Sequence, residues 1–271
     1  MHNSFYSIRE IELTNQIMQN GYIINPVDDK SILDNLRNQI VKLICESLNC
    51  QVPESTGVDS FLENMHHKVP PTELNSLRLF VYRKLNELEE TRSTYFHLGR
   101  SLLFDIVGNE LAMQNKVNLS IQMPNDNSSL LDMHSDVYGG ESPFQVVQWL
   151  PLVNVSKSQS MFILPKEKTR KVAAEFKTLS NMQELFESVK NDLVWLDISY
   201  GNVLIFDSSC LHGNIINTEK NSRWSLNSRF KGLFTPYTSA EKKLGSFYLP
   251  ITTKAASKIG LNYEQPQGFK E

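Results

Sequence analysis

The chain has 271 residues, 40% of them hydrophobic and 21% charged, which is the balance of an ordinary globular protein with room for a substantial core. A formal net charge of −3 argues against nucleic acid or an anionic membrane surface as partner. No run approaches the roughly 18 apolar residues of a membrane span, and "MHNSFYSIREIEL" lacks the apolar centre of a secretion signal, so a cytoplasmic protein is expected.

Without internal repeats or a Gly/Ser/Pro linker, the pattern predicts one domain over 1–271: a helical part to about 115, a strand-rich part over about 116–240, and a C-terminal extension. "DDKSILDNLRNQIVKLICESLN" carries Ile32, Leu36, Ile40, Leu43 and Ile44 at helical spacing, with Asp29 and Ser31 near its start. "PPTELNSLRLFVYRKLNELEETRS" opens on proline and puts Leu74, Leu77, Phe80, Val81 and Leu85 on one stripe. "STYFHLGRSLLFDIVGNELA" predicts a third helix. The texture then changes to short β-branched and aromatic runs bounded by turn formers: "VNLSIQMP", "FQVVQWLPLVNV", "SMFILP", "NVLIFDSS", "GNIIN" and "RWSLNSRFKGLF". A helical insertion over about 166–191 interrupts them. The class predicted is α+β: a double-stranded β-helix, or jelly roll, backed by N-terminal helices.

Cys45, Cys50 and Cys210 have no zinc spacing and form no even-numbered framework, which predicts free thiols in a reducing compartment. His66 and His67 are expected to be solvated, His2 and His97 to be chance histidines and not ligands, and Gly139 and Gly140 to mark a turn. More informative is "LLDMHSDVYGG". In extended backbone, His134 and Asp136 share a face, where they can be two ligands of one metal or a polar rim. His212 follows the run "NVLIFDSSCL" far downstream and can arrive from a facing strand. Two histidines and one carboxylate on an octahedral face leave three positions for exogenous ligands, the requirement of non-haem Fe(II) oxygen chemistry. In "SRWSLNSRF", Arg223, Ser225, Asn227 and Arg229 fall on one face, and the apolar Trp224, Leu226 and Phe230 on the other. Such a face either meets water or, inside a barrel, needs anionic partners, and Arg223 with Ser225 can grip a carboxylate.

His134-x-Asp136, then His212, then Arg223 eleven residues later with Ser225 after it, resembles the Fe(II)/2-oxoglutarate-dependent oxygenases, most of all the phytanoyl-CoA dioxygenase type. The wording "HSDVYGGESPF", "SMFILP" and "RWSLNSRFKGLFTPY" is similar to bacterial members from carbohydrate and aminoglycoside clusters, including the streptomycin type, over about residues 15–240. Where that family has a "PGSH"-like segment this chain has Pro165-Lys166-Glu167-Lys168.

The resemblance implies that His134, Asp136 and His212 bind iron and that Arg223 and Ser225 hold the distal carboxylate of 2-oxoglutarate. Gln122, Trp149 and Asn214 would contact the bound cofactor. The surfaces left once iron and cofactor are placed offer Tyr138, Asn227 and Arg229 as candidates to meet the substrate, with Arg229 either a substrate-side or a structural charge. It further implies oxidation by dioxygen of a small polar metabolite such as a sugar, nucleotide sugar or aminocyclitol. Two competing readings are a cupin-like metal-dependent sugar isomerase or epimerase, which needs no Arg223/Ser225 anchor, and a non-catalytic jelly-roll binding protein.

Overall fold

A computed structural model describes residues 5–175 and 182–268. The chain opens on α1 (Ile8–Asn20), a helix the apolar pattern alone does not announce. Its start is set by a reciprocal cap: Ser7 Oγ accepts from the Glu10 amide at 3.1 Å and Glu10 Oε2 from the Ser7 amide at 2.7 Å. It stops at Gly21, whose φ of +84° suits glycine, and where an added Cβ would lie 2.4 Å from Cys210 Sγ. Strand β1 (Tyr22–Pro26) follows, then α2 (Lys30–Leu48), α3 (Val58–Glu63) and α4 (Pro71–Glu87). Asp29 caps α2 through the Ser31 and Ile32 amides, and both predicted stripes are the faces that enter the core.

The predicted third helix is instead two short ones, α5 (Thr91–His97) and α6 (Arg100–Ile106), ending before strand β2 (Leu111–Gln114). The break at Leu98-Gly99 has a packing cause. A Cβ on Gly99 would fall 2.4 Å from Gln148 Oε1, and the side chain of Gln148 donates to the Tyr95 carbonyl at 2.8 Å. A continuous helix could not bring its backbone so close to the sheet. The N-terminal portion is therefore not all helical, since it supplies β1 and β2 to the sheet.

Strands β3 (Asn118–Gln122), β4 (Gln145–Pro151) and β5 (Phe162–Ile163) come next, followed by α7 (Lys166–Glu175) and α8 (Met182–Val189). These helices are the predicted insertion, although its residues 176–181 lie outside the described residues, as does His2. Then come β6 (Val194–Trp195), β7 (Asn202–Asp207), β8 (His212–Gly213), β9 (Arg223–Gly232), β10 (Tyr248–Thr252) and α9 (Ala255–Leu261). The pairings are antiparallel. A large sheet runs β1-β7-β4-β9-β2-β10, with β3 pairing the first half of β9, and a small sheet runs β6-β5-β8.

Strand β9 divides the molecule. Trp224, Leu226 and Phe230 point to the helical layer, where Trp224 Nε1 donates to the Leu62 carbonyl at 2.9 Å and Tyr95 Oη to the Gln148 carbonyl at 2.7 Å. The alternate residues Arg223, Asn227 and Arg229 line a cavity on the opposite face. The three cysteines are free thiols. His66 differs from expectation: it sits in a short 3₁₀ turn, half-buried, with Nδ1 3.0 Å from Ser222 Oγ. No described helix is long and apolar enough to cross a membrane.

Candidate metal centre

His134 and His212 are brought together by backbone. Each amide donates to the other's carbonyl at 2.9 Å, an isolated bridge that adds His134 to the edge of the small sheet beside β8. Ser135 is extended (φ −116°, ψ 133°), so the side chains flanking it share a side, and Asp136 begins a 3₁₀ turn, Asp136–Gly139. The Asp136 amide is anchored on the Ser208 carbonyl at 3.1 Å. The common face predicted for His134 and Asp136 thus arises from one extended residue between a bridge and a turn, not from a regular strand. Gly140 closes the turn at φ +85°.

The ligand atoms of His134, Asp136 and His212 lie within 4.8 Å of one another. Nδ1 of His134 lies 2.8 Å from the Asp132 carbonyl and Nδ1 of His212 lies 2.9 Å from that of Cys210. A carbonyl only accepts, so each Nδ1 carries the proton and each Nε2 keeps its lone pair for a metal. Burial pushes His212 down to about 4, outweighing the upward pull of Asp136, so at neutral pH its ring is uncharged and able to ligate. For Asp136, burial acts upward, but the charge and hydrogen bonds of Arg229 hold the carboxyl below its ordinary value. The donor set of two imidazoles and a buried carboxylate suits a divalent first-row metal.

The same cavity, about 140 Å³, reaches Arg223. This guanidinium is 3% exposed, with Nη2 donating to Ser120 Oγ at 3.2 Å and Nη1 to the Ser160 carbonyl at 3.4 Å. Burial lowers it to about 10, and among the described residues it has no carboxylate partner. Its Nε, Ser225 Oγ, Ser160 Oγ and Gln122 Oε1 are buried without any hydrogen-bond partner. Sheet register explains the grouping: Gln122 faces Arg223 and Ser120 faces Ser225 across β3–β9. A buried cation beside unsatisfied polar atoms is costly alone and fits an anion carrying several acceptors.

The sequence-derived residues distribute as follows. His134, Asp136, His212, Arg223, Trp149, Asn214, Asn227 and Arg229 line the cavity. Gln122 and Ser225 are buried beside it, and the Gln122 amide donates to the Ile215 carbonyl. Asn214 uses its amide on the loop before His134, accepting from the Leu131 amide at 2.7 Å. Tyr138 is 55% exposed on the turn outside the cavity lining. Arg229 forks onto Asp136, Nε to Oδ2 at 3.0 Å and Nη2 to Oδ1 at 2.8 Å, instead of facing the cavity with a free charge. The apolar walls Met161, just before β5, and Phe206, in β7, had no sequence signal, being ordinary apolar residues.

No protein-family model and no curated protein matches the chain. Solved structures do. The non-heme monooxygenase ThoJ in its nickel complex aligns with 94% of this chain and 89% of its own at 13% identity, TM-score 0.51. SnoK, a non-heme alpha-ketoglutarate-dependent carbocyclase from nogalamycin biosynthesis, aligns with 92% of this chain and 97% of its own at 14% identity, TM-score 0.53. EvdMO1 aligns with 83% of this chain and 50% of its own at 13% identity, TM-score 0.56. At such identities the likeness is one of fold: mixed helices and antiparallel sheet, arranged as in these solved structures.

Proposed function

We propose that the chain is a single-domain Fe(II)/2-oxoglutarate-dependent oxygenase with a double-stranded β-helix core, of the phytanoyl-CoA dioxygenase type. The observation that carries the reading is one cavity holding both a His134/Asp136/His212 cluster and the buried, carboxylate-free guanidinium of Arg223. A cupin-like isomerase would have no use for that cation, and a binding protein none for the three ligands.

His134 and His212 would present Nε2 to iron and Asp136 its carboxylate. Arg223 and Ser225 would take the distal carboxylate of 2-oxoglutarate by a charge-assisted fork and a hydroxyl hydrogen bond, with Gln122 beside them. When bound, the metal and its 2-oxo acid supply the oxidising power through oxidative decarboxylation with dioxygen. The protein contributes placement. The Asp132 and Cys210 carbonyls fix the imidazole tautomers, Asn214 pins the loop before His134, and Trp149, Met161 and Phe206 exclude water from the walls. Asn227 and Ser129 offer polar contacts for a small hydroxylated substrate, a sugar, nucleotide sugar or aminocyclitol, with Tyr138 on the exposed turn that Asp136 begins. The free thiols fit a cytoplasmic setting.

The test is succinate release from 2-oxoglutarate with iron and air, stimulated by polyols or nucleotide sugars. Hydroxylation adds one oxygen to the product, whereas desaturation or ring closure removes two hydrogens, so product mass assigns the outcome. No succinate under any of these substrates contradicts the proposal.

A further inference from the structure

Beyond the ligands lies a buried charge network that the oxygenase reading does not use. Arg229 grips both oxygens of Asp136, and its Nη1 donates to Gln114 Oε1 at 3.3 Å. Its Nε also lies 3.7 Å from Glu141 Oε1, on a carboxylate only 3% exposed. Glu141 in turn accepts from Tyr248 Oη at 2.9 Å and pairs with Lys242 Nζ at 2.9 Å. Lys242 donates to the Gly139 carbonyl and Thr238 Oγ1 to that of Gly140, both at 2.8 Å. The segment after β9 therefore clamps the turn that carries Asp136.

Asp136 and Glu141 face Arg229 and Lys242 here, and the buried Lys231 also feels the charge of Glu141. Asp136 Oδ1 is the oxygen 3.7 Å from His134 Nε2, while Oδ2 is held by Arg229 Nε. The fork takes the inner lone pair of each oxygen, the pair that a chelated metal would need, and leaves only outer lone pairs, that of Oδ1 on the side of His134. A guanidinium beside a dication is repulsive, and Glu141 supplies the offsetting charge.

Resting on the iron reading, we infer that Arg229 is a positioning residue limiting Asp136 to one coordinating oxygen, and that Glu141 is the counter-charge that lets an arginine sit beside the metal. Single-oxygen ligation keeps a coordination position open that a chelating carboxylate would close.

Cobalt(II) titration of the full chain, followed in the visible, separates the parts. Wild type should bind Co(II) with a defined spectrum and Asp136→Ala should not; failure of both would remove the metal reading and this inference with it. Given wild-type binding, Arg229→Gln should alter the bound spectrum toward higher coordination, because the fork is lost, and Arg229→Lys, which keeps the charge but not the fork, should alter it in the same direction. Glu141→Gln should leave the spectrum alone and weaken Co(II) binding at least about tenfold, as the network gains one positive charge beside the ion. A merely structural role would move neither readout in folded protein. Should Arg229→Gln fail to fold, the near-isosteric Glu141→Gln carries the test. A wild-type spectrum in Arg229→Gln, or unchanged affinity in Glu141→Gln, overturns the inference even where the metal reading stands.

Discussion

Arg223 and Ser120 meet across the β3–β9 pair, Nη2 donating to Oγ over 3.2 Å, and this neutral hydroxyl is the only side-chain partner the buried guanidinium has among the described residues. A cation so placed destabilises the ligand-free fold. Replacing it with an apolar side chain of similar length, Arg223→Met, should stabilise the protein without 2-oxoglutarate by about 1–4 kcal/mol. The same change should abolish the stabilisation that 2-oxoglutarate gives to the metal-loaded wild type. Urea denaturation with and without the 2-oxo acid checks both. Lower stability of the variant without ligand would mean that the guanidinium is already satisfied.

Gly213 separates His212 from Asn214 at a place where strand and loop nearly touch. A Cβ there would lie 2.7 Å from the Leu131 carbonyl oxygen and 2.9 Å from Phe162 Cζ. Gly213→Ala must therefore push the 131–132 backbone off β8 and strain the bridge that joins His134 to His212. A loss of about 1–3 kcal/mol is expected for such overpacking, together with weaker metal binding. Calorimetry and metal titration on the same sample would check it.

Tyr95 ties the helical layer to the large sheet through its bonds to the Gln148 and Leu226 carbonyls. Tyr95→Phe leaves those buried acceptors short of a donor and should cost about 1–3 kcal/mol. Because this hydroxyl lies on the helix side of the sheet, metal affinity should stay at the wild-type value. Equilibrium unfolding gives the first quantity and metal titration the second.

Lys231 has no exposed surface, its ammonium resting on the Pro236 carbonyl and 3.5 Å from the centre of the Tyr237 ring. Burial lowers it from 10.5 to about 8, against the upward pull of Glu141. Between these two values the unfolded chain holds the proton that the folded chain has released. This group's contribution to stability therefore rises as pH increases through that window. The stability difference between wild type and Lys231→Met should shift in favour of wild type from pH 8 to 10.5, read from urea midpoints. A pH-independent difference would contradict it.

What could be read beforehand follows physical lines. The alternation along "SRWSLNSRF" gives both the helix-facing side of β9 and the polar side on the cavity, because a two-residue period survives any tertiary setting. His134 and Asp136 were legible as a pair, and one extended residue, Ser135, is enough to make them so. Arg229 was expected as a structural or substrate-side charge because its spacing places it on the cavity face, but spacing cannot reveal that Asp136 is the partner of its guanidinium. Glu141, Lys242 and Tyr248 left no local signal, since a buried ion network forms between residues about a hundred positions apart. In the third predicted helix, Gly99 carried the warning, but its reason, the approach of Gln148, is purely tertiary. The departure Pro165-Lys166-Glu167-Lys168 now has a setting: Lys166 opens α7 and pairs with Asp207 at the end of β7.

The most direct test of the iron and 2-oxoglutarate assignment is an anaerobic titration of the Fe(II)-loaded chain with 2-oxoglutarate, followed in the visible. Chelation of iron by the 2-oxo acid should raise a charge-transfer band in wild type, require far more 2-oxoglutarate in Arg223→Met, and be absent in Asp136→Ala. A wild-type protein that binds Fe(II) but develops no such band at any 2-oxoglutarate concentration would contradict the assignment.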